Sequence, residues 1–273
     1  MKRLSVLFSI LLAPFAVVPL AQADDGIGEY GGYVSDEEDR FVDYVFDFVD
    51  EFAKDCTGLF DVCSDYVDSW INTSYTRKHY TFSGCSHLLN NSINWVDSVD
   101  LAYVAGHGRK SNINMSGTDC NLENASWGRF STKGNGDLES IVFHSCKVLE
   151  MDAGYRSRWM RSSANQARPF SGLHHAMGFR TNHVNGAGAG AWTSDELAEN
   201  LEEGQKMRTA WYDAVEDGYW LSPFAVFIDG DNKQAVFYLE ANGNETMSQL
   251  YNGGAGDFNY GHANYKLDTY YRK

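Results

Sequence analysis

A histidine and a cysteine each follow a short apolar segment, and these two residue types together can perform nucleophilic chemistry. The segment LAYVA ends before Gly106, His107 and Gly108, and the segment SIVFH ends before Ser145 and Cys146. A cysteine thiolate attacks carbonyl carbon, and a nearby imidazole assists thiolate formation or protonates a leaving amine. We therefore take Cys146 and His107 as the candidate catalytic pair.

Two neighbouring strands would bring this pair together. Short apolar runs bounded by glycine or polar residues are typical of central strands in parallel sheets. In an open α/β sheet, ligands bind beyond the carboxyl ends of the strands. The glycines beside His107 allow a sharp turn there, and the N–H groups of Gly108 and Cys146 are candidates to face a developing oxyanion.

Each candidate also has a structural interpretation. Cys146 could lie in a disulfide or be an inert core thiol, and His107 could be a loop histidine bonded to backbone. His144, two positions before Cys146, is a second candidate base, ranked lower because no glycine adjoins it. Four of the five cysteines can pair in an oxidising compartment. Cys146 alone follows a buried-strand pattern, which makes it the best candidate for the cysteine left over; the pairing stays open among Cys56, Cys63, Cys85 and Cys120.

The segment DEEDRFVDYVFDFVDEFAKD is predicted to form an amphipathic helix. Its apolar residues recur at helical spacing, and acidic residues crowd the first turn, where they suit the helix dipole. The polar, glycine-rich residues 109–137 are predicted to form a long surface loop.

The second half of the chain alternates strand and helix patterns. FSGLHHAMGFRTNH predicts a strand ending near Thr181, and NGAGAGAW predicts a flexible glycine loop. Thr193 and Glu196 have the spacing of a capping box that would begin the next helix. Residues 223–240 predict a pair of strands that extend the sheet. This order indicates one α/β domain with a mostly parallel sheet.

The two reactive segments, LAYVAGHG and SIVFHSCKVL, resemble the caspase–gingipain–legumain superfamily of cysteine peptidases. The wider order DLAYVAGHG, SWG, LESIVFHSCKVL, W, FSGLHHAMGF and AWYDA, over most of residues 95–215, resembles an uncharacterised family of mainly bacterial caspase-like proteins. The resemblance implies a caspase-like α/β/α sandwich and a peptide or protein substrate. It maps His107 and Cys146 onto the dyad and Gly108 onto the oxyanion donor.

Other polar residues near the two segments are candidates for substrate contacts. Glu150 and Asp152 follow the nucleophile and would orient the imidazole or line a pocket for a basic side chain. His174 or His175 would line the pocket or support the core. The histidines and cysteines lack the spacing of a metal site, so we predict no metal and no cofactor.

The N-terminal residues indicate where the protein is located, and its net charge limits the partners it can bind. Residues 1–23 carry Lys2 and Arg3, an apolar run and an Ala-Gln-Ala exit, the pattern of a cleavable signal peptide rather than an anchor. The remaining residues, 24–273, would form a single domain, secreted or periplasmic, with no membrane contact after cleavage. A formal charge of −15 disfavours nucleic acid as a partner.

These observations predict an exported cysteine hydrolase, most simply a peptidase that works through an acyl-enzyme. Two alternatives stay open at this level. The same dyad would serve an acyltransferase or transpeptidase. A caspase-like scaffold without activity would bind a partner through the same strand-end pocket.

Overall fold

A computed structural model describes the following parts of the chain. These are residues 28–35, 39–54, 75–129, 131–132, 134, 136–150, 154–160, 163, 165–182, 189–221, 233–239, 246 and 265–271. Within them, no helix is both long and apolar enough to span a bilayer.

A seven-stranded sheet forms the centre of the molecule. Its strands are β1 (Gly28–Val34), β2 (Tyr75–Phe82), β3 (Leu101–Ala105), β7 (Ser140–His144), β8 (His175–Phe179), β9 (Lys233–Leu239) and β10 (Tyr265–Tyr271). The spatial order is β10-β9-β8-β7-β3-β1-β2. The five strands from β8 to β2 are parallel to one another, and β9 and β10 add antiparallel pairs.

Smaller elements surround this sheet. A three-stranded antiparallel sheet contains β4 (Gly108–Arg109), β5 (Asn112–Met115) and β6 (Thr118–Asn121). The helices are α1 (Asp39–Lys54), α2 (Cys85–Leu88), α3 (Tyr155–Trp159), α4 (Ala189–Glu202) and α5 (Met207–Leu221).

Both faces of the central sheet are buried, which explains why the interiors of β3 and β7 are apolar. On one face, α1, α4 and α5 pack against Tyr103, Val142 and Met177 of the strands. On the other face, Ile141 and Phe143 pack against the small sheet, α3 and the segment after β6. Burial on both faces replaces the alternating pattern of a half-exposed strand with a continuous apolar run.

The structure confirms the predicted mixed α/β class and its mostly parallel sheet. The helix predicted from the DEEDRFVDYVFDFVDEFAKD pattern is α1, and its buried side chains come from the predicted apolar face. Both reactive segments form strands with the predicted bounds.

Two local predictions are wrong. Residues 109–137 are not a plain surface loop, because they contain the small sheet and bury Ile113, Met115, Leu122 and Trp127. Thr193 does not cap a helix: α4 begins four residues earlier, within the glycine-rich segment, and buries Thr193 inside it.

Two strands of the sheet, β1 and β10, are not among the predicted elements. The Gly/Tyr-rich β1 lies between β3 and β2, and β10 lies at the far edge. In the predicted pair over 223–240, the second half forms β9, which pairs with β8 and β10. Residues 222–232, the first half, lie outside the described residues.

Candidate active site

The carboxyl ends of β3 and β7 bring His107 and Cys146 to the same edge of the sheet. The two strands are adjacent and parallel, and Ala105 pairs with His144 at their ends. Each candidate residue follows its strand's last paired residue by two positions. Both residues lie in the turns just beyond the strands, and the His107 ring contacts Phe41 of α1.

The backbone after β3 packs directly on the backbone that carries Cys146. A Cβ added to Gly108 would overlap the carbonyl oxygen of Cys146 and lie 2.8 Å from the side chains of Ser145 and Val148. Because only glycine lacks this atom, Gly108 is the residue that permits the close approach. This backbone contact places the segment that contains His107 directly against the segment that contains Cys146.

The turn after Cys146 is held by the end of β8. Lys147 has φ of 56°, a left-handed conformation that is uncommon for a side-chain-bearing residue. Its N–H donates to the carbonyl of Thr181 at 2.9 Å, and the N–H of Leu149 donates to Phe179 at 3.0 Å. These bonds fix the direction in which the chain leaves Cys146.

The N–H of Gly108 is directed away from the small sheet. Gly108 pairs with Ile113 across β4 and β5, and the neighbouring Asn114 N–H donates to the His107 carbonyl at 2.7 Å. That pattern identifies Gly108 and Ile113 as a non-hydrogen-bonded pair. The Gly108 N–H consequently faces outward from the edge strand β4.

The two candidate side chains have the exposure that a reaction with an external substrate needs. His107 is exposed, and its ring meets the Phe41 ring edge-to-face, with centroids 5.1 Å apart and planes at 84°. Cys146 is partly buried. Of the three cysteines that the structure describes, Cys85 and Cys120 pair with each other and Cys146 does not join them.

His144, the alternative base, is packed into the core. It is 1% exposed, its Nδ1 is hydrogen-bonded to the hydroxyl of Tyr103, and its ring stacks on Tyr44 with centroids 4.6 Å apart. An imidazole enclosed in this way does not reach an external substrate. His107 is the better placed of the two histidines.

His174 and His175 lie at the opposite edge of the sheet, which corrects their predicted place in the pocket. His175 begins β8 and pairs with Ser140, the first residue of β7. Its Nδ1 is hydrogen-bonded to the Ser140 hydroxyl at 2.9 Å, and both histidines are buried. Their backbone N–H groups donate to Glu139. They support the core, which is the alternative role that the sequence analysis gives for them.

The remaining predicted contacts follow the nucleophile. Glu150 is exposed just beyond the turn, and its N–H donates to the carbonyl of Lys147 at 2.9 Å. It thus lies on the Cys146 side of the sheet. Asp152 is outside the described residues.

One disulfide ties the small sheet to α2. Cys85 and Cys120 are bonded, and their Cα atoms are 5.3 Å apart. Because β6 carries Cys120 and pairs with β5, the bridge anchors the hairpin that begins at Gly108. The predicted presence of a disulfide is confirmed, and Cys56 and Cys63 lie outside the described residues.

The amino edge of the sheet holds a group of carboxylates that sequence reasoning missed. Oxygens of Asp100, Asp137 and Glu139 lie within 4.8 Å of one another, a spacing at which three carboxylates can hold a cation. Nearby, Asp97 is fully buried and accepts a 2.6 Å hydrogen bond from the Gly128 N–H. Burial raises the pKa of Asp97 well above its usual range, and that hydrogen bond offsets only part of the effect. The group was not recognisable from local spacing, because Asp100 precedes β3 whereas Asp137 and Glu139 precede β7.

The sequence model of one protein family, described as a domain of unknown function (DUF6345), matches residues 82–266. The chain belongs to the DUF6345 family. The matched part of this DUF6345 chain begins at the last residue of β2 and contains both His107 and Cys146, whereas β1 and α1 precede it. The family description assigns no activity. A search of curated proteins gives no match.

Proposed function

We propose that this chain is an exported cysteine hydrolase with a caspase-like fold, acting as a peptidase through Cys146 and His107. The observation that carries the proposal is the meeting of two strand ends. The strands β3 and β7 are adjacent and in register, and the backbone of Gly108 packs on that of Cys146. The Cys85–Cys120 disulfide and the leader pattern of residues 1–23 support export, since disulfides persist in oxidising compartments.

The first half of the reaction forms an acyl-enzyme. The Sγ thiolate of Cys146 attacks the carbonyl carbon of the substrate, and the carbonyl electron pair moves to oxygen. The outward N–H of Gly108, with that of Cys146, donates to this oxyanion. As the oxyanion collapses, the C–N bond breaks and the His107 imidazolium gives its proton to the departing amine.

The second half returns the enzyme to its starting state. Neutral His107 takes a proton from water as that water attacks the thioester carbonyl. Collapse of the second oxyanion breaks the C–S bond, releasing a carboxylic acid and the Cys146 thiolate. The imidazolium left on His107 is the acid that the next cycle needs.

Reaction with iodoacetamide tests the pairing of thiol and imidazole. The full oxidised chain is alkylated between pH 5 and 9, and the label is located by peptide mass analysis. We expect rapid labelling of Cys146 that persists below pH 8, because a nearby imidazolium stabilises the thiolate. His107→Ala should remove the low-pH labelling, and His87→Ala, which changes a histidine in α2, should not.

Hydrolysis is then tested with a peptide library and product analysis. We expect new carboxyl termini in the products of the wild type and a loss of at least about a thousandfold in Cys146→Ala. Transfer of the acyl group to an amine instead of water would identify an acyltransferase. Ordinary, His107-independent alkylation of Cys146 together with intact peptides would contradict the proposal and favour a binding scaffold.

A further inference from the structure

We infer that Phe41, in the first turn of α1, is a positioning residue for the imidazole of His107. The inference rests on the proposed function and adds an element outside the two reactive segments. Phe41 also lies before residues 82–266, the part of the chain that the family model matches. In sequence terms it is one more apolar residue on a helix face.

The contact is between a buried ring and an exposed one. Phe41 is 1% exposed, while His107 is exposed and stands between Gly106 and Gly108. The edge-to-face geometry, with centroids 5.1 Å apart, is a preferred arrangement for aromatic pairs. A ring fixed in the core thus gives the exposed imidazole a surface to pack against.

The position of Phe41 is itself fixed from two sides. Three residues along α1, Tyr44 stacks on His144, the last residue of β7, with planes 20° apart. Residues three apart lie on the same face of a helix, so one helical face contacts the ends of both reactive strands. On the far side, a Cβ on Gly190 of α4 would overlap the Tyr44 ring, which shows how closely α4 packs there.

The main chain of His107 is held by a hydrogen bond, and its side chain is held by packing. The His107 carbonyl accepts a hydrogen bond from Asn114, which holds the main chain of the residue but does not fix its side-chain torsions. Edge-to-face packing on Phe41 limits the rotation of the imidazole. A catalytic imidazole must keep one ring nitrogen within reach of the thiol and the leaving group, so a restricted rotamer favours the reaction.

The test compares two substitutions in α1. Phe41→Leu removes the ring beside His107, and Phe48→Leu removes an equally buried ring that stacks on Tyr103 instead. In the full chain, we expect Phe41→Leu to slow iodoacetamide alkylation of Cys146 at pH 6 by roughly threefold to tenfold. Phe41→Tyr, which keeps the ring, should restore most of the rate, and Phe48→Leu should retain the wild-type pH profile.

The outcomes separate this inference from the proposed function. If His107→Ala leaves alkylation unchanged, the imidazole does not activate the thiol, and both are overturned. If His107→Ala abolishes low-pH alkylation while Phe41→Leu and Phe48→Leu behave alike, only the positioning role is overturned.

A measurement on the wild type guards against loss of fold in the variants. Nuclear Overhauser contacts between the ring protons of Phe41 and His107 are expected in the full chain. Their absence would overturn the inference whatever the variants do.

Discussion

The central sheet has a carboxyl edge, where its parallel strands end, and an amino edge, where they begin. The two edges carry similar residue types in different surroundings. At the carboxyl edge, His107 is exposed and Cys146 partly buried, and turns rather than strands hold both. At the amino edge, His174, His175 and Asp97 are buried, with hydrogen bonds that reach the strands and neighbouring loops. His174 and His175 at the amino edge are part of the core, whereas His107 at the carboxyl edge is exposed.

The difference follows from how the chain leaves and enters the strands. At the carboxyl edge, Gly108 allows two turns to touch, and the turn after Cys146 passes through a left-handed residue. Turns of this kind place backbone N–H groups and side chains outside the hydrogen-bond ladder, as many active sites require. At the amino edge, Asp100 and Glu139 use their backbone groups to tie neighbouring strands together.

The largest expected effect comes from closing the approach at the carboxyl edge. Gly108→Ala places a methyl group against the carbonyl oxygen of Cys146, so the two turns must separate. Overpacking of this kind costs about 1–3 kcal/mol of the free energy of unfolding, and misplacing the dyad should lower hydrolysis by roughly a hundredfold.

Gly84→Ala is the matched control for Gly108→Ala. An added Cβ there meets nothing within 4 Å, and Gly84 does not have a positive φ. Urea unfolding and the alkylation rate of Cys146 should match the wild type within error. Equal behaviour of the two glycine variants would show that the close approach at Gly108 is unimportant.

The buried carboxyl at the amino edge should make the free energy of unfolding depend on pH. Burial raises the pKa of Asp97, so the folded protein keeps this proton to a higher pH than the unfolded chain does. Protonated Asp97 contributes to the free energy of unfolding. This contribution is fully present below the usual pKa of about 4 and declines, by up to about 1.4 kcal/mol per pH unit, as the pH rises toward the raised value.

Asp97→Asn should remove that decline, since an amide oxygen can still accept from Gly128 and the side chain no longer ionises. Urea midpoints of both proteins between pH 4 and 8 provide the comparison. The urea midpoint of the variant, relative to that of the wild type, should therefore increase as the pH rises. Parallel pH curves would show that Asp97 titrates alike in the folded and unfolded chains.

The smallest expected effect comes from the histidine at the amino edge. His175→Phe leaves the buried hydroxyl of Ser140 without its partner and should lower the free energy of unfolding by about 1–2 kcal/mol. His175→Asn, which can still bond Ser140, should lose less. The alkylation rate of Cys146 should stay unchanged in both variants. A slowed rate in either would mean that the two edges are coupled.

The sequence alone determined the parts of this protein that depend on local pattern. The short apolar runs within 101–105 and 140–144 indicated buried strands, and helical spacing indicated α1. The candidate residues after those strands were identifiable because ligands of an open α/β sheet bind beyond the carboxyl ends of its strands. Where local patterning was weak, prediction failed: three of the seven residues of β1 are glycine, which is depleted in strands, and the strands of the small sheet are short and mostly polar.

Only the tertiary structure decided which residues lie next to one another. In it, Gly108 packs on the backbone of Cys146, His144 is buried in the core, and His174 and His175 lie at the amino edge. It also brought Phe41 against His107 across 66 residues of sequence. The physical reason is that register and helix packing depend on contacts between distant segments, and a residue's own neighbours in sequence carry no record of those contacts.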